Sequence, residues 1–507
     1  MPEPAGRLDL RLVPGAIAAW AVTAAGVVWG VGLPLAAVGA TAGMGWLLVC
    51  RLAGGRYRWL PATAGAVLAT TIVGAGFGIA VALRADAVTH HPLTALVGRT
   101  AWVSLTPGES PRQSGPGRLM FRAQLHRVAD TEMSAAVTVF APAAEFGQLD
   151  AGQPVHVRAR IGQPARRDLT VATLTAVGRP RFGQASALQR AARSVRDRFA
   201  SAAREALPAD QAAMLPGLVL GDTTAVPADT TAEFRIAGLT HLTAVSGANV
   251  TIVCGAVLLS GYLIGPRAAV ALAALALIAL VVVVQPTASV LRAAIMGAIG
   301  LLAVLASRRR QAIPVLAATV IALMVMAPQL AVDIGFALSV TATAALILLV
   351  PVWSARLVSA GWPTPVAHAL CVAVAAHLVT APLVAAISGR FSVVSVLANL
   401  AVAVVIPPIT LLGTMAATVV ALWPGAADLL IRFTGLELWW LLAVARAAAH
   451  VPGAAVPVPS GWAGVVTVGC AGGAAVVLWR RRWFRLAAAA ALLSGAAWSV
   501  SSLVAGP

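Results

Sequence analysis

Long stretches without a charged residue fill most of the second half of this chain. After Arg235 the uncharged runs cover residues 236–266, 268–291, 293–307, 311–332, 334–355, 357–389, 391–427, 447–479 and 486–507. A helix of about 20 apolar residues crosses the hydrocarbon core of a bilayer, so these runs predict membrane-spanning helices over 236–507. Pro407 and Pro408 interrupt one run and predict two short helices or a re-entrant pair there.

The first 95 residues show the same pattern. No charge occurs between Leu12 and Cys50, which predicts two helices joined by a tight turn near residues 32–34. Residues 61–83 predict a third span. We therefore expect a polytopic α-helical membrane protein with about eleven to thirteen membrane segments. A second span follows the first directly, so a cleaved signal peptide is a poor alternative.

Residues 96–182 have a different pattern, in which apolar and polar positions alternate. Alternation with a period of two is typical of half-buried strands. We predict five strands, at 101–106, 119–128, 135–140, 155–161 and 169–177. Five short strands predict a small barrel, for which the OB-fold is a natural candidate. Its polar face carries Arg122, Arg158 and Arg160, which suit an anionic ligand; a simple solvated face is the equal alternative.

Residues 186–207 predict a basic amphipathic helix, with apolar residues on one side and Arg190 and Arg193 among its charges. Such a helix is typical of a membrane surface. A contact with nucleic acid is the alternative.

The arginines of short loops predict the orientation. Cytoplasmic loops are enriched in basic residues. Arg7, Arg11 and the arginines at 51–58, 308–310 and 480–482 are therefore expected inside. Three N-terminal spans then place residues 96–182 outside the cell.

Composition narrows the functional classes. The chain is 59% hydrophobic and 11% charged, and its formal net charge is +18. All 36 basic residues are arginine. A chain without lysine lacks a P-loop and a lysine nucleophile, so any ATP-driven step belongs to a partner. The four cysteines and eight histidines form no metal-binding motif, and we expect no metal and no cofactor.

Polar side chains inside the apolar runs mark candidate sites, because a polar group in hydrocarbon is costly without a partner. The first cluster lies at the start of the membrane region and contains His241, Ser246 and Asn249. On an ideal helix these three side chains would face the same side. Gly247 beside Ser246 could instead break that helix. Arg292 offers a fixed cation to an anionic substrate. A third set comprises Asp333, Phe336 and Ser339, together with His377, Arg390, Ser395 and Asn399. The alternatives are hydrogen bonds between helices, a snorkelling arginine and an aspartate that only marks a loop.

These segments resemble the ComEC competence proteins. The resemblance rests on GLVLGD (217–222), AEFRIAGLTHLTAVSGANV (232–250), SVLRAAIM (289–296), APQLAVDIGFALSV (327–340) and SVVSVLANL (392–400). It implies uptake of single-stranded DNA across the cytoplasmic membrane during natural transformation, with an extracytoplasmic OB-like domain. The implied organisation is N-terminal helices over 1–95, the OB-like domain over 96–182, a basic helix and connector over 183–235, and a channel domain over 236–507.

The resemblance also implies how the residues act. The polar clusters would line the channel, and Arg122, Arg158, Arg160, Arg190 and Arg193 would bind DNA. Membrane lipid surrounds the chain, and a DNA receptor, a nuclease and a cytoplasmic ATP-driven motor are expected as separate partners. Many members end in a metallo-β-lactamase-like domain. This chain lacks that domain's HxHxDH pattern, so we expect a channel rather than an enzyme. Where histidine is frequent in the family, this chain has Asn249.

A different class of function fits the same pattern. Broken helices with scattered polar residues also serve secondary transporters, so a permease for a small anionic or lipid-linked solute is the alternative. A family member with little transport activity is a further one. Affinity of the 96–207 region for single strands discriminates DNA transport from the permease.

Overall fold

The computed structural model describes residues 9–52, 60–109, 111–243, 247–284, 288–305, 312–479, 481–483, 486 and 490. The chain divides into two compact units. The first comprises residues 1–194 and 257–337, and the second comprises residues 195–256 and 338–507.

Three helices open the first unit: α1 (Val13–Trp29), α2 (Gly32–Leu52) and α3 (Leu60–Thr89). They confirm the predicted N-terminal helices, although the turn between α1 and α2 lies at residues 30–31. Helices α2 and α3 approach closely at Gly32 and Gly78. A β-carbon at Gly32 would lie 2.6 Å from the Gly78 carbonyl oxygen. Small residues permit such backbone contact between membrane helices.

A closed barrel follows α3. Its strands are β1 (Thr100–Pro107), β3 (Arg118–Val128), β4 (Thr131–Pro142), β5 (Val155–Gly162) and β6 (Ala172–Phe182), and the short β2 (Arg112–Gln113) extends the sheet beside β3. The order is β1-β5-β6-β4-β3, and β3 pairs back with β1. Only the β4–β6 pair among these strands is parallel.

Alternate residues of the strands fill the barrel. Phe121, Val139, Val157 and Leu174 are fully buried, and Phe146 of the short α4 (Ala143–Phe146) packs among them. All five predicted strands are thus present. The last begins at Ala172 rather than at residue 169, because Leu169 has a φ of +65°, which an extended strand excludes.

Helix α5 (Ala187–Ala206) confirms the predicted amphipathic helix. Ala192, Phe199 and Ala203 are spaced along one side and are buried. The protein itself therefore covers much of the apolar side.

The first unit continues with four helices, α9 (Gly261–Ile264), α10 (Pro266–Val284), α11 (Ala288–Leu305) and α12 (Ala312–Met326). A 3₁₀ turn (Pro328–Val332) follows, and α13 (Ile334–Leu348) begins directly after Asp333. The turn and α12 both pack against α1.

The second unit holds most of the remaining helices. They are α6 (Ala209–Leu220), α7 (Ala228–Ile236), α8 (Gly247–Leu259), α14 (Val350–Ser359), α15 (Thr364–Ser388), α16 (Ser395–Val402), α17 (Ile406–Val419), α18 (Pro424–Phe433), α19 (Gly435–His450) and α20 (Gly461–Leu478). Strands β7 (Arg390–Ser392) and β8 (Ala455–Pro457) pair antiparallel.

The predicted break in the 391–427 run is confirmed. Helices α16 and α17 meet at an angle of 53°. The two prolines lie in the first turn of α17. Backbone N–H groups of a first turn have no acceptor within the helix, so the missing N–H of proline breaks no helical hydrogen bond there.

Fewer helices are long enough to cross a bilayer than the roughly eleven to thirteen membrane segments that the sequence predicts. Among the described residues, six helices are long and apolar enough to cross a bilayer, or seven if the bent pair is one span. Four further apolar helices have 10–17 residues, fewer than the roughly 20 of a straight crossing. The chain is nonetheless a multi-pass membrane protein by its helices.

Candidate functional sites

The polar segment after α7 begins at a glycine turn. Gly238 has a φ of +73°, and Leu239 N–H donates to the Phe234 carbonyl over 2.8 Å. The side chain of Phe234 is fully buried beneath the turn. A short 3₁₀ turn (Thr240–Leu242) follows, and α8 starts at Gly247.

This geometry corrects the ideal-helix placement of His241 and Asn249. The helix is not continuous between them, so they do not share a helical side. His241 is exposed on the 3₁₀ turn, whereas Asn249 is buried in α8. Ser246 lies outside the described residues.

Asn249 connects α8 to α6. Its Nδ2 donates to the Leu218 carbonyl over 2.9 Å, and the side chain is 7% exposed. Leu218 lies in the last turn of α6, where carbonyl groups lack a donor within the helix. The amide of Asn249 therefore satisfies a backbone acceptor of the LVLGD segment.

A second connection joins the glycine turn to α16. Ser392 Oγ donates to the Ile236 carbonyl over 2.7 Å, at the end of α7. Asn399 Nδ2 donates to the Ser395 carbonyl over 2.8 Å and to the Gly238 carbonyl over 3.4 Å. Ser395 is buried against Gly238. The 232–250 and 392–400 segments, far apart in sequence, thus form one structural junction.

An ion cluster ties the same region to α19. Arg446 Nη2 donates to Asp210 Oδ2 over 2.6 Å, and Arg446 Nε lies 4.0 Å from Glu233 Oε2. The hydrogen bond from Arg446 holds the pKa of Asp210 below its ordinary value near 3.8, against an opposing effect of burial. Sequence reasoning missed this cluster, because the three charges belong to separate segments without a recognisable motif.

In the first unit, Arg292 is buried in α11, with 3% of its surface exposed. It interacts electrostatically with Asp333. Asp333 Oδ1 also accepts the Phe336 N–H over 2.8 Å and so caps the start of α13. Asp333 thus caps a helix in addition to its electrostatic interaction with Arg292.

Phe336 lies under the N-terminal helix. It is fully buried and its ring meets Trp20 of α1 edge to face, with centroids 5.3 Å apart. Trp20 Nε1 donates to the Ala331 carbonyl over 2.9 Å. Phe336 is therefore an anchor for the 327–340 segment. Ser339 is half-buried in α13, and its carbonyl accepts the Thr343 hydroxyl.

The predicted arginines of the barrel and α5 fall into two groups. Arg122 pairs with Asp168 at 3.6 Å, and Arg193 pairs with Asp150 and donates to the Gln148 carbonyl. Arg190 donates to the Ala185 carbonyl. Arg158 and Arg160 project from β5 and have no ion pair within the described part of the chain.

An exposed aromatic group lies beside these two arginines. Trp102 of β1 is 43% exposed and stands directly opposite Arg158. Its ring stacks on His156 with centroids 5.1 Å apart, and the Arg181 guanidinium carbon lies 5.9 Å from the Trp102 ring centroid. Sequence reasoning missed Trp102 and Arg181. The alternation of β1 does put residue 102 on the outer side, which was the available signal.

The chain also matches a known protein family. The family described as "Competence protein" matches residues 218–483, slightly more than half of the chain. The chain belongs to the competence protein family. Membership of this family associates the chain with DNA uptake, and the matched residues include Gly238, Arg292 and Asp333. No curated protein and no solved structure matches the chain.

Proposed function

We propose that this chain provides the passage by which single-stranded DNA crosses the cytoplasmic membrane. Family membership is the observation that carries the proposal. The net charge of +18 supports it, because a strand of DNA is a polyanion whose path requires positive potential.

The barrel supports a DNA-binding task outside the membrane. Its strand order, with a parallel β4–β6 pair and closure between β1 and β3, agrees with an OB-like topology. Of the five predicted DNA-binding arginines, Arg158 and Arg160 have neither an ion pair nor a side-chain hydrogen bond among the described residues, so we assign them the first contact with phosphate.

Within the membrane, Arg292 is the strongest candidate for contact with the strand. A buried guanidinium in an apolar helix is costly unless it has a partner or a task. Asp333 supplies a counter-charge when DNA is absent. We propose that a passing phosphate competes with Asp333 for Arg292.

The passage needs an external source of work. An inside-negative membrane potential opposes entry of an anion by about 2.3 kcal/mol per charge per 100 mV. The lysine-free chain has no P-loop motif. We therefore propose that a separate cytoplasmic motor pulls the strand, while this chain conducts it without a catalytic step of its own.

Reconstitution tests the proposal directly. The purified chain is inserted into liposomes carrying an inside-positive potential, which draws an anion inward and replaces the motor. Fluorescent single-stranded DNA is added outside, followed by nuclease, and the protected label is measured. We expect protection with the wild-type chain and strong loss with Arg292→Gln.

Arg267→Gln is the matched control, because Arg267 is an exposed arginine near the start of α10. It should conduct like the wild type. Absence of protected DNA with a folded wild-type chain contradicts the channel, as does normal DNA uptake by a transformable host after deletion of the gene.

A further inference from the structure

The outer side of three neighbouring barrel strands is free of negative charge. Strands β1, β5 and β6 contain no aspartate or glutamate, and they carry Arg158, Arg160, Arg179 and Arg181. Because the strands lie side by side, these arginines reinforce one another's potential. The surface therefore favours an anionic ligand.

The same surface holds a preorganised aromatic group. Trp102 and His156 stack across neighbouring strands with only 7° between their ring planes. His156 stands directly opposite Arg181 in the pairing of β5 with β6. The three side chains thus run across β1, β5 and β6, and the exposed part of the indole remains open to a ligand.

An arginine-rich surface with an exposed aromatic ring suits unpaired nucleic-acid bases. Bases stack on aromatic side chains regardless of sequence, and arginine contributes through its planar cation. In a duplex the bases are already stacked on one another, so they are not free to stack on the indole ring. The chemistry therefore favours a single strand.

We propose that Trp102, His156 and Arg181 form a stacking platform for the bases of single-stranded DNA, and that Arg158 and Arg160 bind the adjoining phosphates. The inference rests on the proposed function, since it specifies how the barrel holds the strand that is to be transported.

Equilibrium binding tests the platform. The full chain in phosphatidylcholine nanodiscs is titrated against a labelled thymidine oligonucleotide and against an abasic oligonucleotide of equal length. Trp102→Ala should weaken binding of the thymidine strand about tenfold. It should leave binding of the abasic strand unchanged, and Trp102→Phe should restore most of the affinity.

Salt dependence separates the stacking residues from the phosphate-binding residues. Each lost phosphate contact lowers the slope of log K against log salt by about 0.7 for a single strand. Arg158→Ala combined with Arg160→Ala should lower the slope by about 1.4, whereas Trp102→Ala should leave it unchanged. Arg127→Ala is the control, because Arg127 is an exposed arginine already paired with Glu132 at 2.8 Å.

Several results would overturn the platform. Equal weakening on thymidine and abasic strands would exclude stacking, and unchanged binding by Trp102→Ala would remove its role. Trp102→Ala could instead lower stability only in phosphatidylglycerol nanodiscs and leave the DNA affinity unchanged. That result would show that the Trp102 ring contacts lipid rather than DNA. If the platform fails while the arginine pair still lowers the slope, the proposed DNA passage stands without it.

Discussion

Gly238 packs against Ser395 with no space for a side chain between them. A β-carbon at residue 238 would lie 2.6 Å from the Ser395 β-carbon, and the backbone φ of +73° disfavours any residue except glycine. This contact joins the turn after α7 to the start of α16, two segments of the family region.

Gly238→Ala should therefore destabilise the protein through both contact and backbone strain, by about 1–3 kcal/mol. Thermal unfolding in detergent measures the effect. Gly265→Ala is the control, because Gly265 has a φ of +87° and nothing within 4 Å of the added carbon. Equal loss of Tm in the two variants would show that strain alone is responsible and that the Ser395 contact is unimportant.

Asn249→Asp should cost more stability than Thr251→Ala on the same helix. The substitution replaces an amide donor with a carboxylate facing the Leu218 carbonyl in a buried place. A buried acceptor left without its donor costs about 1–3 kcal/mol. Thr251 is exposed, and its hydroxyl bonds the Gly247 carbonyl of its own helix. Equal Tm values for the two variants would contradict the connection between α8 and α6.

Asp333 should show two separable contributions. Asp333→Ala removes the helix cap and the charge, whereas Asp333→Asn keeps a good capping residue and removes only the charge. We expect Asp333→Asn to be the more stable variant by about 1 kcal/mol, the usual worth of an N-cap.

The charge contribution is measured by a double-mutant cycle with Arg292. If Asp333 neutralises this buried guanidinium, the cost of Asp333→Asn should shrink when Arg292→Gln is already present. Unfolding midpoints of the four proteins give the coupling. Strictly additive effects would show that the two side chains act independently.

The Arg446–Asp210 pair should make stability depend on acid pH. The pKa of Asp210 is lowered in the folded protein, so its stabilising effect is present above the unfolded pKa and disappears as pH falls through the folded value. The Tm difference between wild type and Arg446→Gln should be constant above about pH 5 and shrink below about pH 4. Because both side chains are partly exposed, the effect should be below about 1 kcal/mol.

Measurements of Tm from pH 7 to pH 3 check this prediction. Arg432→Gln is a useful comparison, because Arg432 pairs with Asp428 within a single helix. A difference that grows with acidification would reverse the expected sign and assign the stabilisation to another group.

The elements that sequence predicted best are those with a strong period. The alternation of Val155, Val157 and Ile161 with polar residues located β5, and the uncharged runs located α1, α2 and α15. Such patterns show which sides of an element are buried, and they can be read from neighbouring residues in the sequence.

Sequence was less informative where partners come from distant segments. The roles of Asn249, Ser392 and Arg446 depend on carbonyl groups or carboxylates many residues away. A polar residue in an apolar run signals that some partner exists, and only the packed chain shows which one. The predicted placement of His241 on one helix with Asn249 was wrong for a local reason. The glycine turn ends α7, and α8 begins only at Gly247, after His241.

The strand order of the barrel also fixes a sequence of events during synthesis. Strand β1 pairs with β3 and with β5, so its second edge stays unpaired until residue 162 has left the ribosome. Non-local pairing of this kind is slow to form and leaves strand edges open to aggregation. By then α1 to α3 are already made, and the nascent barrel is tethered close to them by its own chain. Helices α1 to α3 are therefore synthesised before the barrel can close.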